Sequence, residues 1–418
     1  MKKRVLFVIN TLGRAGAEKA MIALMNKFDL RIYDIYLYVI MGQGELVHEL
    51  PDFVKLRNTK FSDESVLSPK GKRRLFKTVV RKLCSNYSIF INFFYIIRNA
   101  REMKKNGGRL MVDKLLWRAV SDGSRRLYME FDLAIAFIEG GAAYYVRDYV
   151  AAQKKAAFIH IDYEKAGYTR DLDTNCYKDF DRIFAVSDEV RDSFLSVYSE
   201  LGEKTKVFHN IIDDDTIREK SKEQVFDMNA NGIRLLTVGR LTYQKGYDVA
   251  IKALKILRER GHDVYWYVLG EGPEKASLKS LAKREGVFEY FRLAGSKDNP
   301  YPYYKRADIY VHATRFEGKS IAVQEAQILG RPIVASDCSG NREQIENGKD
   351  GILCEFSPEG VADAVESLIL NPELAASFAE AASKKKINHL EELEYIYELM
   401  NGRGDEVERR INYHSGIQ

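Results

Sequence analysis

Twice along this chain, short apolar runs alternate with stretches of helical periodicity, and a polar break separates the two series. The first series has strand-like runs at 4–10, 35–40, 133–138, 155–160 and 182–187; the second has them at 234–238, 265–269, 309–311 and 333–335. Each run is apolar at successive positions rather than alternate ones, so both of its faces need cover. Helical patterns fill the gaps, at about 246–260, 273–285, 320–329 and 358–370 in the second series. Strands covered on both faces and joined by helices form parallel sheets. The break at 210–232, with Asp213-Asp214-Asp215 and a polar run to Gly232, reads as a linker. Two doubly wound α/β domains facing across a cleft is the simplest architecture, and 418 residues suffice for two cores. Ligands of such sheets bind beyond the carboxyl ends of the strands.

Charge is distributed unevenly. The net charge is only +5, yet residues 70–118 hold fourteen Lys or Arg against two Asp or Glu, which leaves the rest of the chain acidic. This basic stretch belongs to an insert at about 65–126 in the first series. It contains the apolar run Tyr87–Ile97, whose eleven residues are too few to span a bilayer. Basic flanks around an aromatic-rich apolar segment suit a helix lying on an anionic membrane surface, with Lys72, Arg73, Arg74, Lys77, Arg81 and Lys82 as the docking cations. Ordinary helices with solvated lysines are the competing reading. No nucleic-acid module accompanies the patch, so nucleic acid is not expected as a partner. The four cysteines are scattered without Cys-x-x-Cys, and the seven histidines show no metal-ligand spacing, so a reducing compartment and no metal site are expected. The apolar run at the N-terminus is too short for a signal peptide and reads as a first buried strand.

The most informative local stretch is Arg315-Phe316-Glu317-Gly318-Lys319-Ser320-Ile321-Ala322-Val323-Gln324-Glu325. It follows an apolar strand and opens a helix that stops at Gly330-Arg331-Pro332. A strand–loop–helix turn of this kind offers free backbone N–H groups and a positive dipole end to an anion. Glu325, about one turn into the helix, is placed to accept both hydroxyls of a ribose, and Glu317 to face what the nucleotide carries. Two unrelated glutamates on a surface loop would look the same. Arg240 and Lys245, in Gly239-Arg240-Leu241-Thr242-Tyr243-Gln244-Lys245-Gly246, stand after the first strand of the second series. Two cations at a strand's carboxyl end are suited to a diphosphate, one as a planar fork and one as a point charge.

These motifs together resemble the retaining family 4 glycosyltransferases, which have the GT-B fold. The resemblance runs along nearly the whole chain, best over 205–370, and includes His209-Asn210-Ile211-Ile212-Asp213, Gly270-Glu271-Gly272-Pro273 and Arg292-Leu293-Ala294-Gly295. It implies an acceptor domain at 1–208, a nucleotide-sugar donor domain at 209–388, and a C-terminal helix within 389–418 that packs back on the first domain, followed by a tail. By the same resemblance Arg240 and Lys245 would grip the donor diphosphate, the Ser320–Ala322 amides (Ile321 between them) would cradle phosphate, and Gly239, Gly318 and Lys319 would be among the donor-binding residues, with Lys319 placed to meet an acidic sugar or an acceptor phosphate. Glu325 would bind the ribose, Glu317 the donor sugar, and the loop around Leu293–Gly295 the base. Gly16, in the Gly-x-x-Gly loop of the first domain, would let backbone approach the donor. His160 would stand near the transferred sugar, so that His160, Arg240, Lys245 and Glu317 form the catalytic set. The family needs no cofactor and no divalent metal. The activity implied is retaining sugar transfer from a nucleotide-sugar, UDP by family frequency, to a lipid-linked or other glycan acceptor for capsule or related surface polysaccharide. It would work in the cytoplasm, peripheral on the inner face of the cell membrane. Lys319 and Ser320 replace the bulky apolar residue or proline and glycine found in many members. An Asp-x-Asp metal site at Asp213–Asp215 competes with a helix cap there, and the cap is the better reading. A sugar-nucleotide epimerase or phosphorylase on the same fold, or a non-catalytic transferase-like subunit, are the alternatives. A dinucleotide dehydrogenase is weaker, because the opening glycine loop lacks the full fingerprint.

Overall fold

In the computed structural model, residues 2–105, 111–163 and 166–401 are described. The chain divides into two compact units, the first of residues 1–211 with 388–418, the second of residues 212–387. The change of unit falls at 211/212, three residues after the expected boundary, and His209 and Asn210 stay with the first unit. The expected linker is partly structured. Asp214–Lys220 is a helix of the second unit, and the Asp213 carboxylate caps it by accepting the Thr216 N–H at 3.1 Å.

The first unit holds seven parallel strands: β1 (Lys3–Ile9), β2 (Tyr33–Val39), β3 (Lys55–Leu56), β4 (Glu130–Ala136), β5 (Ala151–Ile159), β6 (Arg182–Ala185) and β7 (Thr205–Val207). Their order in the sheet is β3-β2-β1-β4-β5-β6-β7. The second unit holds six: β8 (Ile233–Val238), β9 (Val264–Leu269), β10 (Phe291–Gly295), β11 (Ile309–His312), β12 (Ile333–Ser336) and β13 (Ile352–Cys354), in the order β10-β9-β8-β11-β12-β13. Both sheets reverse direction once, between β1 and β4 in the first and between β8 and β11 in the second. Such switch points open a crevice at the strands' carboxyl ends. The strands that periodicity missed are the short outer ones, β3, β7 and β13, together with β10. Residues 293–295 are therefore the end of a strand and not a loop.

The successive apolar positions have the cause inferred for them. Adjacent residues on a strand point to opposite faces. Leu235 packs with Ala250, Leu254 and Leu257 of helix Tyr247–Glu259, whereas Leu236 packs with Tyr304, Tyr310 and Val323 on the other side of the sheet. Each such fully buried leucine contributes roughly 1.5–3 kcal/mol relative to an exposed one.

Among the described residues the insert holds four α-helices, Pro69–Cys84, Ser88–Ile91, Phe93–Lys105 and Val112–Asp122, with a 3₁₀ turn at Ser85–Tyr87. Ser68 caps the first, accepting the Gly71 N–H at 2.9 Å. The expected single helix over Tyr87–Ile97 is broken in two at Asn92. That residue is buried, and its amide donates to Asp122 Oδ2 at 2.7 Å and to the Ser88 carbonyl at 3.0 Å. The break leaves Tyr87, Phe90, Ile91, Phe93 and Phe94 exposed, Phe94 by 82%. Lys72, Arg73, Arg74, Lys77 and Arg81, on the preceding helix, are exposed too. Lys82 is not a docking cation. Only 8% exposed, it donates to Ser124 Oγ at 2.8 Å, and burial with the neighbouring Arg81 charge pushes its ammonium down to about 8.

Near the end of the described chain, helix Leu393–Asn401 lies against β1 and β2 within the first unit. Tyr397 stacks on Tyr33 at 5.6 Å and meets Phe28 edge-on, and Lys3 Nζ donates to the Met400 carbonyl at 3.2 Å. The remaining tail, 402–418, lies outside the described residues. No helix among the described residues is long and apolar enough to cross a membrane.

Candidate active site

At the switch point of the second sheet, the loops after β8 and β11 are stitched together. Gly239 continues the ladder of β8, donating its N–H to the Leu269 carbonyl and accepting the Tyr247 hydroxyl on its own carbonyl, both at 2.9 Å. Leu241 is fully buried and anchors the loop. Arg240, between them, is exposed and makes no ion pair among the described residues. The loop turns back at Gly246, where φ is +59° and a Cβ would lie 2.3 Å from the Ala313 carbonyl oxygen; only glycine fits there.

Opposite, the Arg315 guanidinium grips the Asp248 carboxylate through two bonds of 2.9 and 2.6 Å. Gln244 is bonded through its carbonyl to the Arg315 N–H and through its amide to the Phe316 carbonyl, at 2.8 and 2.9 Å. These contacts bring Lys245 onto Glu317, and the two form an ion pair whose side chains are each about 15% exposed. His312 Nε2 lies 3.5 Å from the same carboxylate. Burial alone would push the Glu317 carboxyl up; the Lys245 charge and His312 outweigh it and hold it at about 2. Burial pushes the His312 imidazole down. Sequence reasoning missed His312, although a polar residue closing the apolar run Ile309-Tyr310-Val311 was the available signal.

Helix Ile321–Ile328 begins beside Glu317. Ser320 does not offer its amide to a phosphate: Gln344 holds it, accepting the Ser320 N–H at 2.6 Å and donating to the Ser320 carbonyl at 2.9 Å. The free donors are those of the first helical turn, starting at Ile321 and Ala322, which have no carbonyl four residues back in the helix. Gly340 forms the floor under Glu317 and Gly318, where a Cβ would lie 2.3 and 2.4 Å from their carbonyl oxygens. Glu325, in the middle of the helix, is 3% exposed and accepts the Tyr304 hydroxyl at 2.9 Å. Lys319 is half-buried. Leu293 and Gly295 end β10, and the Gly295 carbonyl accepts the Gly270 N–H at 2.9 Å.

In the first unit, Gly16 is the first residue of helix Gly16–Met25, which follows β1. His160 follows β5. Its backbone N–H donates to Glu139 Oε2 at 3.1 Å, and its ring lies beside Phe137 and Phe158, with centroids 5.2 and 6.1 Å away. Burial pushes the imidazole down to about 4, so the ring is neutral, and Nε2 is buried without a hydrogen-bond partner. Burial also raises the Glu139 carboxyl. Asn10, at the end of β1, likewise has a buried Oδ1 without a partner. Glu139 and Asn10 carry no motif and were not singled out in sequence.

The architecture is that of the GT-B class. The solved structure of Anabaena Alr3699/HepE in complex with UDP superposes with a TM-score of 0.64 at 16% identity, covering 95% of this chain and 99% of that one. At that identity the likeness shows the fold. Residues 218–385, nearly all of the second unit, match the family described as glycosyl transferases group 1. Among curated relatives, alpha-D-kanosaminyltransferase of Streptomyces kanamyceticus is 32% identical over 152 residues, 36% of this chain and 39% of that protein. The amylovoran biosynthesis glycosyltransferase AmsK of Erwinia amylovora is 32% identical over 160 residues, again 36% and 39%. The matched stretch thus spans about two-fifths of these two relatives.

Proposed function

We propose that the chain is a retaining glycosyltransferase that moves a sugar from a nucleotide-sugar, a UDP-sugar, to a lipid-linked or other glycan acceptor in surface-polysaccharide assembly. The observation that carries the reading is the convergence of Arg240, the Lys245–Glu317–His312 cluster and the start of helix Ile321–Ile328 at the switch point of a group 1 glycosyltransferase domain. Breaking the anomeric bond puts negative charge on the departing diphosphate. Preorganised cations and amide dipoles oppose it, each contributing on the order of 3 kcal/mol. Glu317 keeps Lys245 ordered before the donor arrives. UDP is supported by the HepE complex, and a polysaccharide role by the name of AmsK. His160, neutral and with an unpartnered Nε2, is assigned as an acceptor of a hydrogen bond from a sugar hydroxyl. Glu325 is assigned to the ribose, and Leu293–Gly295 to the base.

Charge neutralisation by Arg240, Lys245 and the helix start takes the place of a catalytic divalent ion, and Asp213 is committed to its cap. Thermal-shift screening with UDP-, GDP- and ADP-sugars, followed by nucleotide-release assays, tests donor choice; equal indifference to all three sinks the reading. Millimolar Mg2+ or Mn2+ added back to chelator-treated enzyme should leave the rate nearly unchanged. A strict requirement for either ion refutes metal-independent transfer.

The insert supports an acceptor at the membrane. Exposed aromatics at Phe90, Phe93 and Phe94 and exposed Lys72, Arg73, Arg74, Lys77 and Arg81 in the same insert suit the inner, anionic face of the cell membrane. Charge reversal at Arg73, Arg74 and Lys77 should weaken binding to anionic vesicles, and added salt should do the same. Equal binding to neutral vesicles contradicts the assignment.

A further inference from the structure

His209 and Glu392 are 183 positions apart in sequence and in direct contact. The Glu392 carboxylate accepts the His209 backbone N–H at 2.5 Å and meets His209 Nδ1 at 2.6 Å. His389 stacks on His209, with ring centroids 4.3 Å apart and planes 29° from parallel. The local backbone explains why His389 and Glu392 reach the same place. Leu390–Glu392 is a 3₁₀ turn closed by the Glu392 N–H on the His389 carbonyl at 3.0 Å, and side chains three apart in such a turn eclipse. One ligand atom from each of the three residues falls within a group no more than 4.8 Å across. All three side chains are partly buried, His209 and Glu392 with 17% and 12% exposed.

We propose that His209, His389 and Glu392 form a structural zinc site that fastens the segment after β7 to the returning C-terminal segment. Two imidazole nitrogens and one carboxylate oxygen are a borderline-soft set. It suits Zn2+ over Mg2+ or Ca2+, which take oxygen ligands, and it leaves a fourth tetrahedral position for water. Bond lengths of about 2.0–2.2 Å put tetrahedral ligand atoms about 3.4 Å apart, so the widest separation must close while the hydrogen-bonded His209 Nδ1 and Glu392 Oε1, 2.6 Å apart, must open as the proton between them is lost. The His209–Glu392 contact already holds the two segments together; the second imidazole supplies what a hydrogen-bonded clamp does not need and a metal does. All three residues belong to the first unit, and His209 lies two residues before the chain leaves that unit while His389 lies one residue after it returns. The site thus ties together the two strands of chain that connect the units, and it is separate from the donor-phosphate residues of the second unit.

The test uses tag-free full-length protein, stripped with chelator, equilibrated with zinc chloride and desalted. One zinc ion per chain by elemental analysis and a raised Tm with Zn2+ but not with Mg2+ are expected. His389→Ala leaves the His209–Glu392 bonds in place, so it should still fold, its metal-free Tm lowered only by the lost ring contact, while retained zinc and the zinc-induced Tm rise disappear. Should His389→Ala unfold, Glu392→Gln, whose single amide oxygen keeps an acceptor for one of the two His209 nitrogens, should show the same loss of zinc. Wild-type protein that retains no zinc, a variant that retains as much as the wild type, or an equal Tm rise with Mg2+ each overturns the site. None of these readouts depends on transferase activity.

Discussion

Glu317 in the second unit and Asp173 in the first are both buried carboxyl groups, and their surroundings treat them in opposite ways. Glu317 has a lysine beside it, and its carboxyl is held at about 2. Asp173 is fully buried among phenols, with Tyr144 Oη at 2.8 Å, Tyr198 Oη at 3.4 Å and the Tyr163 hydroxyl in contact. Burial pushes its carboxyl up to about 7, and the three hydroxyls offset that only in part. Neutral donors soften the desolvation of an anion, whereas a cation reverses it. The second unit therefore keeps an ionised Lys245–Glu317 pair at its sheet edge. The first unit carries a group near neutrality in a segment that follows His160.

The largest effect is expected from Lys245→Ala. It should lower the transfer rate roughly 10²–10³-fold and cost about 3–5 kcal/mol of stability, because Glu317 is left buried and unpaired. Lys245→Ala/Glu317→Ala should recover most of the stability and none of the rate. Urea denaturation of both variants decides it: a single variant as stable as the double would show that the pair is not what holds Glu317. Arg240→Ala should cost a similar factor in rate, yet leave stability within about 0.5 kcal/mol, since the side chain is exposed. A large loss of stability in this variant would mean that Arg240 is structural.

The pH dependence separates the two acids. Asp173 titrates at about 7 in the folded chain and near ~4 when unfolded. Between those values the folded state holds more protons, so its contribution falls as pH rises. Glu317, at about 2 folded against ~4.3 unfolded, contributes stability that is lost as pH drops below ~4.3. Denaturation midpoints across pH should lose the first slope in Asp173→Asn and the second in Glu317→Gln. The opposite assignment of slopes would break the comparison. The smallest effect is expected from Lys82→Met, under about 1 kcal/mol, with vesicle binding unchanged because Lys82 is buried. Vesicle binding weakened as much as by charge reversal at Arg73 would return Lys82 to the docking surface.

Periodicity and motif spacing were enough for both parallel sheets and for the loops that bear Arg240, Lys245 and Glu317. These signals are local: a buried strand must be apolar, and a residue two positions past its end must lie at the sheet edge. Sequence reading placed Lys245 and Glu317 against different parts of a ligand. It had no means of pairing them, because their contact depends on the register of β8 beside β11. Lys82 fails as a docking cation for a similar reason, since no property of a lysine in a basic run tells which side of its helix faces Ser124.

The chain's own residues thus determine two doubly wound domains, the switch-point loops and the basic insert, because backbone hydrogen bonding and apolar burial act over a few residues at a time. Only the tertiary structure decides which charges neutralise each other and which protons are displaced. His209 meets the Glu392 carboxylate across 183 positions, and Ser320 gives up its amide to Gln344 rather than to a phosphate. Electrostatics and desolvation act through space, and the distances they act over exist only once the chain has folded.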